Sequence, residues 1–255
     1  MYVLPSPAIA SLLDALLAGM RAILGERLVG LYLYGSLVTG DFDLDVSDID
    51  MLAVIESDLS DDEFARLDAL HGAIVDAHPS WRERVEVAYL ACAALKTFRT
   101  QRSPIAVISP GEPFHIKDAG NDWLLNWWVI RRGGVALWGP PPTSLIDPIG
   151  DDEFHAAIVR QVGEWQDWVL HMRSRKAHAY AILTMCRALH LVERGEQVSK
   201  LAAARWAQQR MPAWAALIGD ALAWRSAHDE TGVDHDASFD ETVGFVRAVG
   251  ALLGV

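Results

Sequence analysis

Residues 34–50 read YGSLVTGDFDLDVSDID. Upstream of this stretch, Leu28 to Tyr34 is a short apolar run that stops at Gly35-Ser36, which predicts a buried strand feeding a tight turn. Downstream, Ser47 to Ile55 alternates and then becomes wholly apolar, which predicts a second strand, with residues 41–46 as the loop between. Asp48 and Asp50 lie at the start of that second strand, two residues apart. Side chains on a strand alternate between its faces, so this spacing projects both carboxylates from one face.

The residue types in this frame point to phosphate and metal chemistry. Gly35 lets the backbone approach a ligand closely. The helical turn expected after it offers free N–H groups and a positive dipole end to a phosphate, and Ser36 adds a hydroxyl donor. Two neighbouring carboxylates repel each other unless a cation lies between them, and hard oxygen ligands favour Mg²⁺. Glu86 is the natural third carboxylate. In the segment 84–90 the apolar Val85, Val87 and Tyr89 alternate as the core face of a third strand, so Glu86 points to the other face with Arg84 and Ala88. There it is placed to bind metal or to act as general base on an acceptor hydroxyl. A phosphate cradle beside a magnesium-binding carboxylate set is the equipment of phosphoryl or nucleotidyl transfer.

Competing readings of the same residues are weaker. Asp41, Asp43 and Asp45 superficially extend the acidic run toward a calcium loop, but no glycine stands at the sixth position and no glutamate at the twelfth, so they read as a solvated turn. His71, His78, His171, His178 and His190 fall on predicted helices without ligand spacing to a third partner, and zinc is not expected. Trp123, Trp127 and Trp128 share one helix and read as packing residues.

Around this centre the pattern is first mixed and then helical. Residues 7–24 carry apolar side chains at helical spacing, and Ser60 with Glu63 three residues on forms a capping box for a helix reaching about His78. Residues 105–108 and 114–117 are further strand candidates, and residues 121–132 read as a helix closed by Gly133-Gly134. Pro140, Pro141, Pro142 and Pro148 make residues 139–150 a stiff connector. Beyond it the spacing is helical throughout, over about 151–172, 175–194, 199–209, 212–226 and 239–253, with a polar break at residues 228–238. The expected fold is therefore an α/β domain with a mixed sheet over residues 1–148, followed by an all-α helical bundle over residues 149–255.

Composition restricts the partners. The chain has 255 residues with a formal net charge of −12, and no basic patch with interleaved aromatics, so nucleic acid is not an expected partner. Its two cysteines, Cys92 and Cys186, are far apart, which suits a reducing, cytoplasmic compartment. Residues 1–17 lack a basic leading region and contain Pro5, Pro7 and Asp14, unlike a secretory leader. No uninterrupted apolar run of membrane-spanning length appears, so no membrane association is expected.

Gly-Ser, then eleven residues, then Asp-x-Asp, then a carboxylate on a later strand: with this pattern the chain resembles the DNA polymerase β nucleotidyltransferase superfamily. Within it, about residues 10–250 are similar to the aminoglycoside 3''/9 (streptomycin/spectinomycin) adenylyltransferases. The later stretch Leu183-Thr184-Met185-Cys186-Arg187, followed by Gly195-Glu196-Gln197-Val198-Ser199-Lys200, carries the second half of the likeness. The resemblance implies that Asp48 and Asp50 bind magnesium, that Glu86 acts as base, and that Arg187 and Lys200 reach the nucleotide phosphates in a cleft between the domains. It implies transfer of AMP from ATP to a hydroxyl of a small molecule resembling an aminoglycoside antibiotic. The superfamily also contains protein-adenylylating antitoxins, which are usually single minimal domains, and a non-catalytic nucleotide-binding protein would normally lack one carboxylate. The chain departs from the drug-modifying enzymes at residues 173–180. There they carry acidic residues that grip a cationic drug, whereas this chain has Arg173, Arg175 and Lys176, which would repel a polycation wherever they face it.

Overall fold

A computed structural model describes residues 6–40, 42–227 and 232–255 of the protein. The leader reading for residues 1–5, the turn reading for Asp41 and the first part of the polar break at 228–231 lie outside the described residues. The chain divides into two compact units, Met1–Ile149 and Gly150–Val255.

The first unit is a mixed sheet with helices. Helix α1 (Pro7–Leu24) starts behind Ser6, whose hydroxyl accepts from the Ala8 N–H at 3.1 Å. Strand β1 (Leu28–Tyr34) leads into the single turn α2 (Ser36–Thr39), and β2 (Ile49–Ile55) returns antiparallel to it. Helix α3 (Asp61–Ala77) opens with the expected capping box: Ser60 accepts from the Glu63 N–H at 3.3 Å, and Glu63 accepts from the Ser60 N–H at 2.9 Å. The Glu63 carboxylate also pairs with Arg27. Strand β3 (Val85–Ala91) runs parallel to β2, as the α3 crossover permits. The short helix α4 (Ala94–Thr97), strands β4 (Ser103–Ser109) and β5 (Glu112–Ala119), helix α5 (Leu124–Gly133), strand β6 (Val135–Trp138) and the turn α6 (Pro142–Leu145) complete the unit.

Among the described residues one sheet forms, in the order β5-β4-β3-β2-β1-β6, with β2 and β3 as the parallel pair. Strand parity assigns its faces. Leu31, Leu33, Met51, Ala53, Val87 and Tyr89 join Leu12, Leu16 and Met20 of α1 and Leu67 and Ile74 of α3 in one core. By length and hydropathy α1 could cross a bilayer. Its Ile9, Leu12, Leu16 and Met20 are fully buried in the protein, which makes it a core helix. The even-numbered residues of the central strands occupy the opposite face. Strand β6 pairs with β1 at the edge, where no strand is expected from the sequence: four residues between a Gly-Gly pair and a proline run give too short a pattern.

The second unit is helical: α7 (Asp151–Trp168), α8 (Arg175–Arg194), α9 (Lys200–Arg210), α10 (Ala215–Arg225) and α11 (Phe239–Leu253). Helix α8 is central, packing against α7, α9, α10 and α11. Its Ala181, Ile182, Met185, Cys186 and Leu189 are buried at helical spacing. The residues expected to be helical up to 172 and from 212 end and begin as single 3₁₀ turns, Val169–His171 and Pro212–Trp214.

Candidate active site of the first unit

The strand register brings the chemistry together. Tyr34 of β1 is paired with Asp50 of β2, and Asp50 with Glu86 of β3. These three residues form one row across the sheet, on the face away from the α1–α3 core. In both β2 and β3 the second residue is the only one not buried, and those two residues are Asp50 and Glu86. Asp48 is half-buried, one residue ahead of β2 and on the same parity as Asp50.

Gly35 is required by contact as well as by conformation. Its φ is +68°, a left-handed value that non-glycine residues rarely adopt, and a Cβ there would stand 1.9 Å from Asp50 Oδ2. The strand-to-turn backbone is thus pressed directly against the Asp50 carboxylate. Ser36 follows, and its buried Oγ has no hydrogen-bond partner among the described residues. A buried orphan hydroxyl costs free energy unless a ligand satisfies it.

Glu86 is held in a defined state. Burial, then the nearby Asp48 charge, raises its carboxyl above the usual range, opposed by a hydrogen bond from Ser109 and by the Lys117 charge. Ser109 Oγ donates to Glu86 Oε2 at 3.2 Å. The Tyr34 phenol stands in the same row as this carboxylate. Burial, and then the charges of Asp50, Glu86 and Asp48, push that phenol well above its ordinary value, so it stays a donor. Tyr34, Ser109 and Lys117 were not foreseen as parts of the site. Tyr34 could have been found by parity, because it precedes Gly35 at the end of β1. Ser109 and Lys117 depend on the β3–β4 and β4–β5 registers, which no local pattern fixes.

Among the described residues, no three His, Cys, Asp or Glu side chains stand close enough together to hold a metal ion by themselves. Mg²⁺ does not need such a cage, since it is usually held by one or two carboxylates together with substrate phosphates and water. The carboxylates of Asp48 and Asp50, the glycine cradle against Asp50 and the orphan hydroxyl of Ser36 suit a magnesium-bound phosphate chain. Burial raises the Glu86 carboxyl, and that suits a proton acceptor working near neutral pH.

Arg187 and Lys200 belong to the second unit. Arg187 lies on α8 and is half-buried. Glu193, further along the same helix, is bound by Arg210 Nε at both of its carboxylate oxygens, at 3.1 and 2.9 Å. Lys200 is the first residue of α9, behind Ser199, whose hydroxyl accepts from the Ala202 N–H at 3.0 Å. Its ammonium lies 5.0 Å from the centre of the Tyr180 ring. Of the basic residues at 173–176, Arg173 lies over Phe239 at 4.9 Å and Arg175 over Trp224 at 5.5 Å, while Lys176 is exposed.

Comparison with known proteins agrees with this division. Residues 16–99 match the family model of the nucleotidyltransferase domain, and residues 144–249 match that of the aminoglycoside adenylyltransferase C-terminal domain. No curated protein matches the chain. Among solved structures, the spectinomycin adenyltransferase AAD(9) from Enterococcus faecialis, solved with ATP and spectinomycin, superposes with a TM-score of 0.76. It is 15% identical, over 96% of this chain and 99% of that one, a likeness that establishes the shared fold. Matched in succession by these two domain families, the chain is a nucleotidyltransferase that resembles the aminoglycoside adenylyltransferases.

Proposed function

We propose that the protein transfers AMP from ATP to a hydroxyl of a small molecule, with Mg²⁺ as the metal. The observation that carries this reading is the in-register row Tyr34–Asp50–Glu86, with Gly35 pressed against Asp50. Asp48 and Asp50 would hold the metal, and the turn at Gly35-Ser36 would receive a phosphate, giving the Ser36 hydroxyl its partner. When bound, Mg²⁺ supplies Lewis-acid stabilisation of the charge that develops on the phosphoryl oxygens. Glu86 is the base: the Ser109 hydroxyl orients its carboxylate, and it takes the proton of the acceptor hydroxyl as that oxygen attacks phosphorus. The P–O bond to the leaving pyrophosphate breaks as the new ester bond forms. Arg187 and Lys200 are proposed phosphate ligands from the second unit.

The acceptor is proposed to be a hydroxylated antibiotic of the aminoglycoside or spectinomycin type, on the strength of the C-terminal domain family and of the fold shared with a spectinomycin adenyltransferase. The guanidinium groups of Arg173 and Arg175 lie over Phe239 and Trp224 of their own unit, which holds those two side chains there, although their positive charge remains and would still disfavour a polycation that met it. Calorimetry with ATP tests the core of the reading. Wild type should bind ATP more tightly with Mg²⁺ than without, and Asp48→Asn should lose that gain; an equal gain in both would sink it. Pyrophosphate release over streptomycin, spectinomycin and anionic sugars then identifies the acceptor class.

A further inference from the structure

Arg84 stands just ahead of β3, two residues before Glu86; besides a 3.5 Å bond from Nη1 to the Ser80 carbonyl, its guanidinium turns to the loop before β2. Its backbone carbonyl accepts from the Ile49 N–H at 2.8 Å. Its guanidinium donates to the Ser47 carbonyl from Nη2 at 2.6 Å and from Nε at 3.0 Å, and to the Leu44 carbonyl from Nη2 at 2.8 Å. Ser47 and Ile49 are the two neighbours of Asp48. We propose that Arg84 is the positioning residue for Asp48: it grips the peptide units on both sides of that carboxylate and fixes it relative to Glu86. The inference rests on the magnesium role proposed above for Asp48.

The surroundings fit a strut. Asp48 precedes the paired part of β2, so register alone does not set it as it sets Asp50. The loop has local ties of its own: the Asp43 N–H donates to Ser47 Oγ at 3.0 Å, and the Ser47 N–H to the Asp43 carbonyl at 2.9 Å. These close the loop on itself but do not attach it to the sheet. Arg84 ties it by hydrogen bonds to the start of β3; the Trp81 ring lies 4.7 Å from the Arg84 guanidinium carbon and also meets Phe42 of the loop at 6.2 Å. The turn that delivers Arg84 is strained, because Glu83 holds a φ of +53° without being glycine. Such conformations persist where the surrounding structure over-determines them. A guanidinium can serve two carbonyls from one rigid fork, whereas a lysine ammonium on a flexible stem cannot reproduce that geometry.

The test uses the full chain as Arg84→Ala and Arg84→Lys, with Asp48→Asn alongside. Hydrogen exchange of the amides at residues 43–49, in magnesium-free protein, should speed up in Arg84→Ala and recover in part in Arg84→Lys. ATP affinity without Mg²⁺ should stay at the wild-type value, while the extra affinity conferred by Mg²⁺ should fall roughly 10- to 100-fold, the usual cost of losing support behind a metal ligand. A merely structural arginine would lower both affinities together, and that result overturns the proposal. So does a full magnesium gain in Arg84→Ala, or in Arg84→Lys if the alanine variant does not fold. If Asp48→Asn itself keeps the gain, the proposed function falls and this inference with it. If Asp48→Asn loses the gain and both Arg84 variants keep it, the inference alone falls.

Discussion

Asp50 and Glu86 meet across hydrogen-bonded strands, whereas Arg187 and Lys200 ride on helices at the ends of long side chains. In the sheet unit the backbone itself does the placing. A carboxylate of two or three bonds' reach, on a strand locked to both neighbours, has little freedom, and Gly35 narrows it further by contact. In the helical unit an arginine or lysine keeps several rotatable bonds, and what the fold supplies is a start point and a surface: Ser199 caps the helix that begins at Lys200, and Tyr180 lies under its ammonium. Metal and proton chemistry tolerate little misplacement. A charge that meets a phosphate tolerates more. The roles proposed for the residues of the two units divide along the same line.

The sharpest way to break this contrast is at Gly35. Gly35→Ala would force a Cβ into the space of Asp50 Oδ2 while holding a left-handed φ, a conformation that costs about 1–2 kcal/mol for a residue with a side chain. The strand can relieve the clash only by moving Asp50. Nucleotidyl transfer should drop roughly 100-fold or more, since displacements near 1 Å at a reacting centre cost that much. Steady-state pyrophosphate release with circular dichroism as a check on folding measures it. Near-normal turnover would mean that Asp50 is not held by this contact, and the sheet unit would lose its claim to rigid placement.

Much of the sheet unit was legible because its signals are local. An apolar run ending at Gly-Ser, the two-residue spacing of Asp48 and Asp50, and the alternation around Glu86 each depend on strand parity alone. Ser60 and Glu63 announce α3 through a reciprocal hydrogen-bond pair that needs no tertiary partner. What could not be read depends on register between distant strands: the alignment of Tyr34, Asp50 and Glu86 in one row, the arrival of Ser109 beside Glu86, and the edge pairing of β6. Arg84 could be assigned to the face of Glu86, but its grip on Ser47 needs the loop to fold back over the start of β3. In the helical unit the periodicity of α8 was clear, and so was its end at Gly195. The stacking of Arg173 and Arg175 on rings from α11 and α10 was not, because a run of basic residues reads as solvated charge until its neighbours are known.

A second test contrasts buried histidines of the two units. His71 is buried against Tyr89, with Nε2 2.8 Å from the phenol oxygen, and burial pushes its pKa down to about 4. His178 is buried too, its pKa lowered by burial, but the Met172 carbonyl and the Asp236 charge act the other way. For His71 the folded value lies below that of the unfolded chain, so the unfolded chain takes up the proton first. Stability is complete above about pH 6.5, falls as the pH drops toward 4, and levels off below. By pH 5 the loss amounts to about 2 kcal/mol from this group. Urea unfolding of wild type and His71→Gln at pH 7.5 and pH 5 isolates it, because the variant should lose less stability on acidification. Equal losses would show that the sheet unit buries His71 at no electrostatic cost.

The smallest effect should come from the helical unit's own placing device. Ser199→Ala removes the acceptor for the Ala202 N–H and leaves the first turn of α9 uncapped. The cost should be about 1 kcal/mol, seen as a melting temperature lower by roughly 2–4 °C. Lys200 keeps its long side chain and its neighbour Tyr180, so ATP affinity should fall less than twofold to threefold, far below the effect of Gly35→Ala. That asymmetry is what the contrast between the units requires: a loosened helix start changes where a flexible cation begins, which the length of its side chain can absorb if Lys200 has the phosphate role proposed for it. Were Ser199→Ala to abolish ATP binding at unchanged melting temperature, Lys200 would be placed as strictly as the carboxylates, and the division of labour between sheet and helices would not hold.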